Sequence, residues 1–207
     1  MVIVLQLDEE RRQGCIRSPL YGIPVFIKDS IATSHILGMD TIVGSYAPEG
    51  FRPSEDVDLT NAGPIILAKS QLSCPGGSST GSAAGVSAIY ASVALGTDTT
   101  RSIVISAIPA ALYSIRVTTG DIDMDGVIPF LRRFNTIGPM AKCVKDVADM
   151  LDIIIDPGRK NTTVGGFTTS LSKHWRDVRI GVLATEKWFI SPSSLGRSNP
   201  KAQAQMV

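Results

Sequence analysis

The feature of this sequence that most limits its fold is the alternation of short, β-branched apolar runs with stretches of helical periodicity. Three runs are typical of buried strands, namely GIPVFIKD, GPIILAKS and RIGVLA at residues 22–29, 63–70 and 179–184. Helical patterns occupy GSAAGVSAIYASVAL at 81–95 and CVKDVADMLDIII at 143–155, and LQLDEERRQG is typical of the end of a charged helix that Gly14 stops. Strands alternating with helices predict an α/β fold around a mainly buried sheet.

Composition and charge exclude several classes of partner. Of the 207 residues, 43% are hydrophobic and 19% are charged, which is enough for a real core in one domain or one and a half. The 20 basic and 19 acidic residues are interspersed, so the net charge of +1 provides no field that would hold nucleic acid or an anionic lipid surface. We therefore expect a small, neutral partner, with no nucleic acid and no membrane.

Cysteine usage and the apolar segments predict the compartment. Cys15, Cys74 and Cys143 are odd in number and scattered, which argues against a disulfide framework and for a reducing environment. The apolar run at the amino terminus is too short for the core of a signal peptide. The most apolar helical window, residues 83–95, is shorter than the roughly 20 residues needed to span a bilayer. These observations predict a cytoplasmic protein.

The stretch GGSSTGS at residues 76–82 has three interpretations that need no other segment. A flexible linker would join two polar segments, but this stretch runs directly into an apolar helix. A phosphate-binding loop would need a lysine followed by serine or threonine at the start of the helix, and this stretch lacks them. The spacing of Gly77, Ser79 and Gly81 fits a nucleophile elbow with His174 as base, but an elbow needs a strand directly before it and SQLSCPG is broken by proline.

A fourth interpretation uses four segments together. PLYGIPVFIKD, GGSSTGSAAGVSA, ALGTDTTRSI and DGVIPFLRRFNTIGPMAKCVKDVADML, in this order, resemble the amidase signature family over nearly everything from Leu7 to about Leu183. The resemblance implies an amidase signature fold, in which a mixed β-sheet is flanked by helices. It also implies hydrolysis of an amide bond by a Ser-Ser-Lys triad through an acyl-enzyme, with no metal and no organic cofactor.

The resemblance assigns a role to each matching residue. It implies Ser102 as the nucleophile, Ser78 as the bridging serine and Lys28 as the base. The implied oxyanion hole consists of the backbone N–H groups of Thr99, Thr100, Arg101 and Ser102, and the implied supporting residues are Ser79 and Asp98.

Simple chemistry explains why the triad would need a lysine at the end of an apolar strand. A serine hydroxyl is a poor nucleophile until a neighbouring base takes its proton, and a lysine is a base only when it is neutral. Burial disfavours the ammonium and so lowers the pKa of a lysine. Ser78 would then relay the proton between Ser102 and Lys28, because a hydroxyl both donates and accepts.

Departures from the family pattern support a second hypothesis, that the chain is a catalytically inactive remnant or a binding protein. Thr100 and Arg101 stand where the family has two glycines, and AKSQLS joins CPGGSS directly where the family has a longer stretch. We expect an incomplete amidase signature domain over residues 1–190 and a disordered tail over 191–207. An incomplete domain would expose apolar surface that a second copy or a partner covers. The substrate expected of an active form is a small carboxamide.

Overall fold

A computed structural model describes residues 2–33, 37–39, 59–71, 77–155, 165–176 and 178–181 of this chain. The chain divides into two compact units, Met1–Leu171 and Ser172–Val207. All helices and strands of the described residues belong to the first unit. The second unit is described only at 172–176 and 178–181, where no helix or strand occurs. The predicted disordered tail, 191–207, therefore lies outside the described residues and stays a prediction.

The described residues of the first unit form a five-stranded mixed sheet. Its strands are Pro24–Lys28 (β1), Ile65–Ser70 (β2), Val93–Asp98 (β3), Tyr113–Ser114 (β4) and Thr136–Ala141 (β5). They lie in the order β2-β1-β3-β5-β4. Strand β1 is parallel to both β2 and β3, whereas β5 is antiparallel to β3 and β4. The predicted α/β class with a mixed sheet is confirmed.

Helices cover both faces of this sheet. They are Val2–Arg12 (α1), Thr80–Ser87 (α2), Val104–Ala107 (α3) and Val144–Ile154 (α4), and a short 3-10 turn spans Thr60–Ala62. Strand residues such as Val25 and Ile137 share one buried cluster with Met150 of α4. Met140 of β5 points the other way, into a second cluster formed with residues of α2 and α3. The alternation of side chains along each strand thus supplies two core layers.

The sequence correctly located α1, α4, β1 and β2. Gly14, which was expected to stop the first helix, lies two residues beyond Arg12 with φ +80°. Helix α4 begins after Cys143, whose sulfur accepts a hydrogen bond from the backbone N–H of Asp146. Among the residues that the structure describes, no helix combines the length and apolar character that crossing a membrane requires.

The second half of the helix predicted over 81–95 is wrong. Helix α2 ends at Ser87, Ile89 takes a left-handed φ of +66°, and β3 begins at Val93. Every residue of β3 is buried, so buried and exposed residues do not alternate along this strand. Periodicity therefore cannot distinguish it from a buried helix. The segment is a strand because it pairs with β1 on one side and with β5 on the other.

Two further differences concern strands. The run TIGPMA, which forms β5, was not predicted because glycine and proline argue against a strand interior. Pro139 pairs with Leu95 of β3, whereas β4 pairs only with Met140 and Ala141, so Pro139 lies beyond the β4 ladder. The strand predicted over 179–184 is absent from 179–181, and 182–184 lie outside the described residues.

Candidate active site

The parallel pairing of β1 and β3 brings together the side chains that follow these strands. Strand β1 ends at Lys28 and β3 ends at Asp98, and Ile27 and Leu95 are partners in the ladder. Carboxyl ends of parallel strands open on the same edge of a sheet, which is where α/β proteins bind ligands. The loop before α2 and the turn after β3 meet this edge.

Lys28 is buried although it is the last residue of its strand. Only 1% of Lys28 is exposed, and its Nζ lies 2.8 Å from Ser78 Oγ, 3.0 Å from Ser79 Oγ and 2.8 Å from Thr97 Oγ1. The Thr97 carbonyl oxygen is farther away, at 3.5 Å. The amine is therefore surrounded by three hydroxyl groups.

Counting the hydrogens at this amine identifies which hydroxyl groups can donate to it. Ser79 donates its own proton to the Thr97 carbonyl over 3.0 Å, so towards Lys28 it can only accept. A protonated lysine has three N–H donors and would donate to all three hydroxyls, whereas a neutral amine has two donors and one lone pair. The hydroxyl that donates to that lone pair must be Ser78 or Thr97. The geometry thus allows a proton to move from Ser78 to Lys28.

The environment of Lys28 favours the neutral amine. Burial lowers the pKa of Lys28 from 10.5 to about 8, and the negative charge of Asp98 opposes this shift. At pH 7 roughly one molecule in ten would then carry the neutral amine, compared with fewer than one in a thousand for an exposed lysine. Burial therefore increases the fraction of Lys28 that carries no charge near neutral pH.

Asp98 holds the turn that follows β3. Its side chain is 0% exposed, and its Oδ2 accepts a hydrogen bond of 2.7 Å from the backbone N–H of Ile103. Among the described residues its Oδ1 has no hydrogen-bond partner, and it lies 3.3 Å from Nε of Arg116. Arg116 in turn donates from Nη2 to the carbonyl of Phe134 over 2.7 Å. The buried carboxylate thus closes the 98–103 turn, and Arg116 ties this turn to the segment before β5.

Ser102 lies on that turn, against the glycine-serine loop. A Cβ atom added to Gly77 would come within 2.7 Å of Ser106 Oγ and 2.8 Å of Ile105 Cγ2, so the loop and the turn pack in direct contact. The Ser102 carbonyl accepts a 2.7 Å hydrogen bond from Ser106 Oγ. Across the described ranges, no hydrogen bond joins the hydroxyl of Ser102 to Ser78 or Lys28.

The remaining candidate residues are placed as follows. Thr99 is half-buried and donates from Oγ1 to Asn135 Oδ1 over 3.1 Å, whereas Thr100 and Arg101 are exposed. Ser79 contacts Lys28 directly, and Asp98 supports the turn. His174, the base of the alternative elbow, is exposed in the second unit. Within the described part of the chain, no cluster of His, Cys, Asp and Glu could hold a metal ion.

Sequence reasoning missed three residues of this region, Thr97, Arg116 and Asn135. Thr97 follows an apolar run that was predicted to be helical, so the strand-end pattern used for Lys28 did not apply to it. Arg116 and Asn135 reach the turn through pairing with β5, which was not predicted. No local sequence signal marks them.

One family model and several known proteins are similar to this chain. The family model called Amidase matches residues 4–74 and 71–206. A glutamyl-tRNA(Gln) amidotransferase subunit from Symbiobacterium thermophilum is 32% identical over 211 aligned positions, which include 86% of this chain and 43% of that protein. The crystal structure of native peptide amidase from Stenotrophomonas maltophilia matches with a TM-score of 0.66 and 33% identity, covering 82% of this chain and 40% of that one. An amidase family protein from Bacillus anthracis matches with a TM-score of 0.67 and 30% identity, covering 84% and 40%.

These matches cover only part of each relative, and they leave a gap inside the alignment. This chain spans less than half the length of the curated relatives it matches. In the Symbiobacterium alignment, 86% of 207 residues is about 178, so about 33 of the 211 positions are filled only in the relative. The two family matches meet at residues 71–74, which is the junction where the sequence predicted a missing stretch.

Proposed function

This chain belongs to the amidase family, and from that premise we propose that it hydrolyses a small carboxamide with Lys28 as base, Ser78 as proton relay and Ser102 as nucleophile. The observation that carries the proposal is the buried amine of Lys28, 2.8 Å from Ser78 Oγ with its pKa lowered to about 8. A buried lysine with no carboxylate in hydrogen-bond contact among the described residues is costly unless its neutral form is used. General-base catalysis is such a use.

The proposed reaction begins with attack of Ser102 Oγ on the carbonyl carbon of the substrate. As the new C–O bond forms, the proton of Ser102 passes to Ser78 Oγ, and the proton of Ser78 passes to Lys28 Nζ. The tetrahedral intermediate then expels the amine, which receives a proton back through Ser78. An ester between Ser102 and the acyl group remains, and a water molecule activated by the same relay hydrolyses it. Lys28 ends as it began, as a neutral amine.

The oxyanion of the intermediate would be held by backbone N–H groups of the turn. The N–H of Ile103 is already bonded to Asp98, so it does not contribute. The proposed donors are therefore the N–H groups that precede it, those of Thr99, Thr100, Arg101 and Ser102. Asp98 contributes by keeping the turn in shape.

Labelling with a fluorophosphonate probe tests the proposal, because such probes react with activated serine hydroxyl groups. We expect Ser102 to be labelled, Ser102→Ala to remain unlabelled, and Lys28→Met to be labelled about a hundredfold more slowly. The labelling rate should rise with pH through about 8, since Lys28 accepts a proton only after losing its own. Ser87→Ala is a matched control, because Ser87 is an exposed serine of α2. Absence of label in wild-type protein with an intact circular dichroism spectrum would reject the proposal.

A second function, that of a catalytically inactive remnant or a binding protein, is favoured by the turn itself. Within the described residues, the Ser102 hydroxyl makes no hydrogen bond to Ser78, and exposed Thr100 and Arg101 stand where the resemblance expects two glycines. Glycine allows backbone angles and a close approach of substrate that a β-branched residue and a bulky cation resist. The double variant Thr100→Gly with Arg101→Gly distinguishes the two functions. Labelling that appears only in the double variant indicates a damaged but competent site, and unlabelled, folded double variant supports the inactive remnant.

A further inference from the structure

Ser30 lies beside the candidate active site, and the proposed reaction has so far assigned no role to it. It follows Lys28 by two residues, and only 6% of it is exposed. Its backbone carbonyl accepts a hydrogen bond of 2.9 Å from the N–H of Ile128, and the next residue, Ile31, forms a bridge with Val127. Backbone pairing thus holds the segment that carries the Ser30 side chain.

The hydroxyl of Ser30 is connected to Lys28 through Thr97. Ser30 Oγ lies 3.4 Å from Thr97 Oγ1, and Thr97 Oγ1 lies 2.8 Å from Lys28 Nζ. Among the described residues, the side-chain hydroxyl of Thr97 has these two partners, and that of Ser30 has Thr97 alone. The first distance is long for a bond between two hydroxyl groups, so this bond is weak in the present geometry. The three side chains form a short chain that ends at the amine.

The number of hydrogens fixes the direction of this chain whenever Lys28 is charged. An ammonium group has three N–H donors and no lone pair, so Thr97 can only accept from it. The proton of Thr97 must then point elsewhere, and Ser30 Oγ is the acceptor within reach among the described residues. Thr97 is only 7% exposed, and a buried hydroxyl proton without an acceptor is unfavourable.

The neutral amine does not depend on Ser30 in this way. Its lone pair can accept from Thr97, so the Thr97 proton keeps a partner even when Ser30 offers none. Ser30 therefore stabilises the charged form of Lys28 relative to the neutral form. Successive hydrogen bonds polarise one another, and we expect the bond from Thr97 to Ser30 to be strongest when Lys28 is charged.

The charged groups around Lys28 do not replace this contact. Asp98 of β3 acts on the amine through its charge, Asp29 is the next residue of the chain, and Lys69 of β2 donates to the Ile31 carbonyl. Helix α2 contains no charged residue. Within the described residues, none of these charges is a partner of the Thr97 hydroxyl, so changing Ser30 leaves them in place.

We propose that Ser30 is a positioning residue, which accepts the Thr97 proton and so supports the ammonium group that Lys28 becomes when it takes up the proton of the nucleophile. The inference rests on the proposed function, because that function supplies the proton. Ser30 acts through Thr97 and not on the reacting atoms.

The titration of Lys28 tests this role without any reaction. Lysine labelled with ¹³C at Cε reports protonation by NMR, and the signal that is missing from Lys28→Met identifies Lys28. We expect Ser30→Ala to lower the pH midpoint of Lys28 by about one unit, the tenfold change in basicity that one hydrogen bond provides. Ser70→Ala is the matched control, because it removes another buried hydroxyl, 2.6 Å from Ser82 Oγ, and it should leave the midpoint unchanged.

A double variant shows whether Ser30 acts through Thr97. Thr97→Val removes the hydroxyl and keeps the shape of the side chain, so adding Ser30→Ala to Thr97→Val should lower the midpoint no further. An unchanged or raised midpoint in Ser30→Ala, an equal shift in Ser70→Ala, or additive shifts in the double variant would each overturn the inference.

The pH profile of fluorophosphonate labelling connects this contact to the reaction. A weaker base is neutral at lower pH but accepts a proton more slowly, and about half of the change in basicity should appear in the rate. Ser30→Ala should therefore be labelled about threefold faster than wild type well below the midpoint and about threefold more slowly well above it. Slower labelling at every pH would indicate a purely structural role and overturn the inference. Failure of the proposed function shows separately, as wild-type protein that is not labelled, and the NMR midpoints decide the role of Ser30 in either case.

Discussion

Lys28 is unusual because it is the last residue of a strand and its side chain is nevertheless buried. Removing an ammonium group from water is expensive, and the described neighbours in contact with it are hydroxyl groups, not a carboxylate. Asp98 acts on Lys28 through its charge. Natural sequences keep such unfavourable placements mainly where function uses them.

The protonation of Lys28 should appear in the pH dependence of stability. Its pKa is about 8 in the folded protein and near 10.5 in an exposed chain, so between these values the unfolded chain binds a proton that the folded chain releases. The free energy of unfolding of wild type, minus that of Lys28→Met, should therefore rise as pH increases from about 8 towards 10.5. The total rise should be on the order of 3 kcal/mol.

Urea denaturation of both proteins at several pH values measures this difference. Subtracting the variant removes the contribution of other titrating groups, because Lys28→Met changes the titrating groups only at this position. A difference that stays flat across the window, or that falls with pH, would show that Lys28 is not held in an environment that disfavours its charge.

At the scale of elements, β5 is the strand that assembles the site. It pairs antiparallel with β3, sets Thr136 opposite Asp98, and is in contact with the segment that carries Arg116. A Cβ atom added to Gly138 would lie 2.2 Å from the backbone carbonyl oxygen of Ile115 and 3.0 Å from Ile103 Cδ1. The Ile115 carbonyl belongs to the backbone, so it cannot move away from an added Cβ atom as the end of a flexible side chain could.

We expect Gly138→Ala to lower the free energy of unfolding by at least about 2 kcal/mol, because β5 and the Ile115 segment must separate. Chemical denaturation measures the loss. Gly181→Ala is the matched control, since no atom of the described residues lies within 4 Å of a Cβ at Gly181, and it should change stability by less than about 0.5 kcal/mol. Equal stabilities of the two variants would contradict the close contact between β5 and Ile115.

At the scale of the whole molecule, the first unit exposes large apolar side chains. Phe130 is 83% exposed and Ile89 is 79% exposed, and Ile108 and Tyr90 are also largely exposed. Scattered apolar residues are normal on a surface, whereas a large contiguous apolar patch marks a surface that another molecule covers. The matched relatives are more than twice as long as the part of them that aligns with this chain. Their surfaces therefore do not show what covers these residues here.

The expectation that a second copy or a partner covers exposed apolar side chains stays a prediction, and self-association is the form of it that can be tested with this chain alone. Sedimentation velocity in the micromolar range should then show species heavier than the 22.0 kDa chain, with a fraction that grows with concentration. Replacing Ile89, Ile108 and Phe130 with serine should shift the distribution towards the monomer. A wild-type chain that stays monomeric throughout this range would exclude self-association.

Several elements could be identified from local patterns in the sequence. The runs around β1 and β2, the helical periodicity of α4 and the glycine-serine loop are recognisable because each depends on neighbours a few residues away. These local patterns were sufficient for the α/β class, and the resemblance of four segments, in order, to the amidase signature family supplied Lys28, Ser78 and Ser102 as candidates.

The tertiary structure was needed to show where α2 ends, that β5 is a strand, and that Lys28 is buried among Ser78, Ser79 and Thr97. It also brought Arg116 to Asp98 and Asn135 to Thr99. Each of these outcomes depends on pairing between segments distant in the chain, and burial and pKa are properties of that packing. A residue pattern identifies groups that could react, but the sheet sets their distances and their exposure to water.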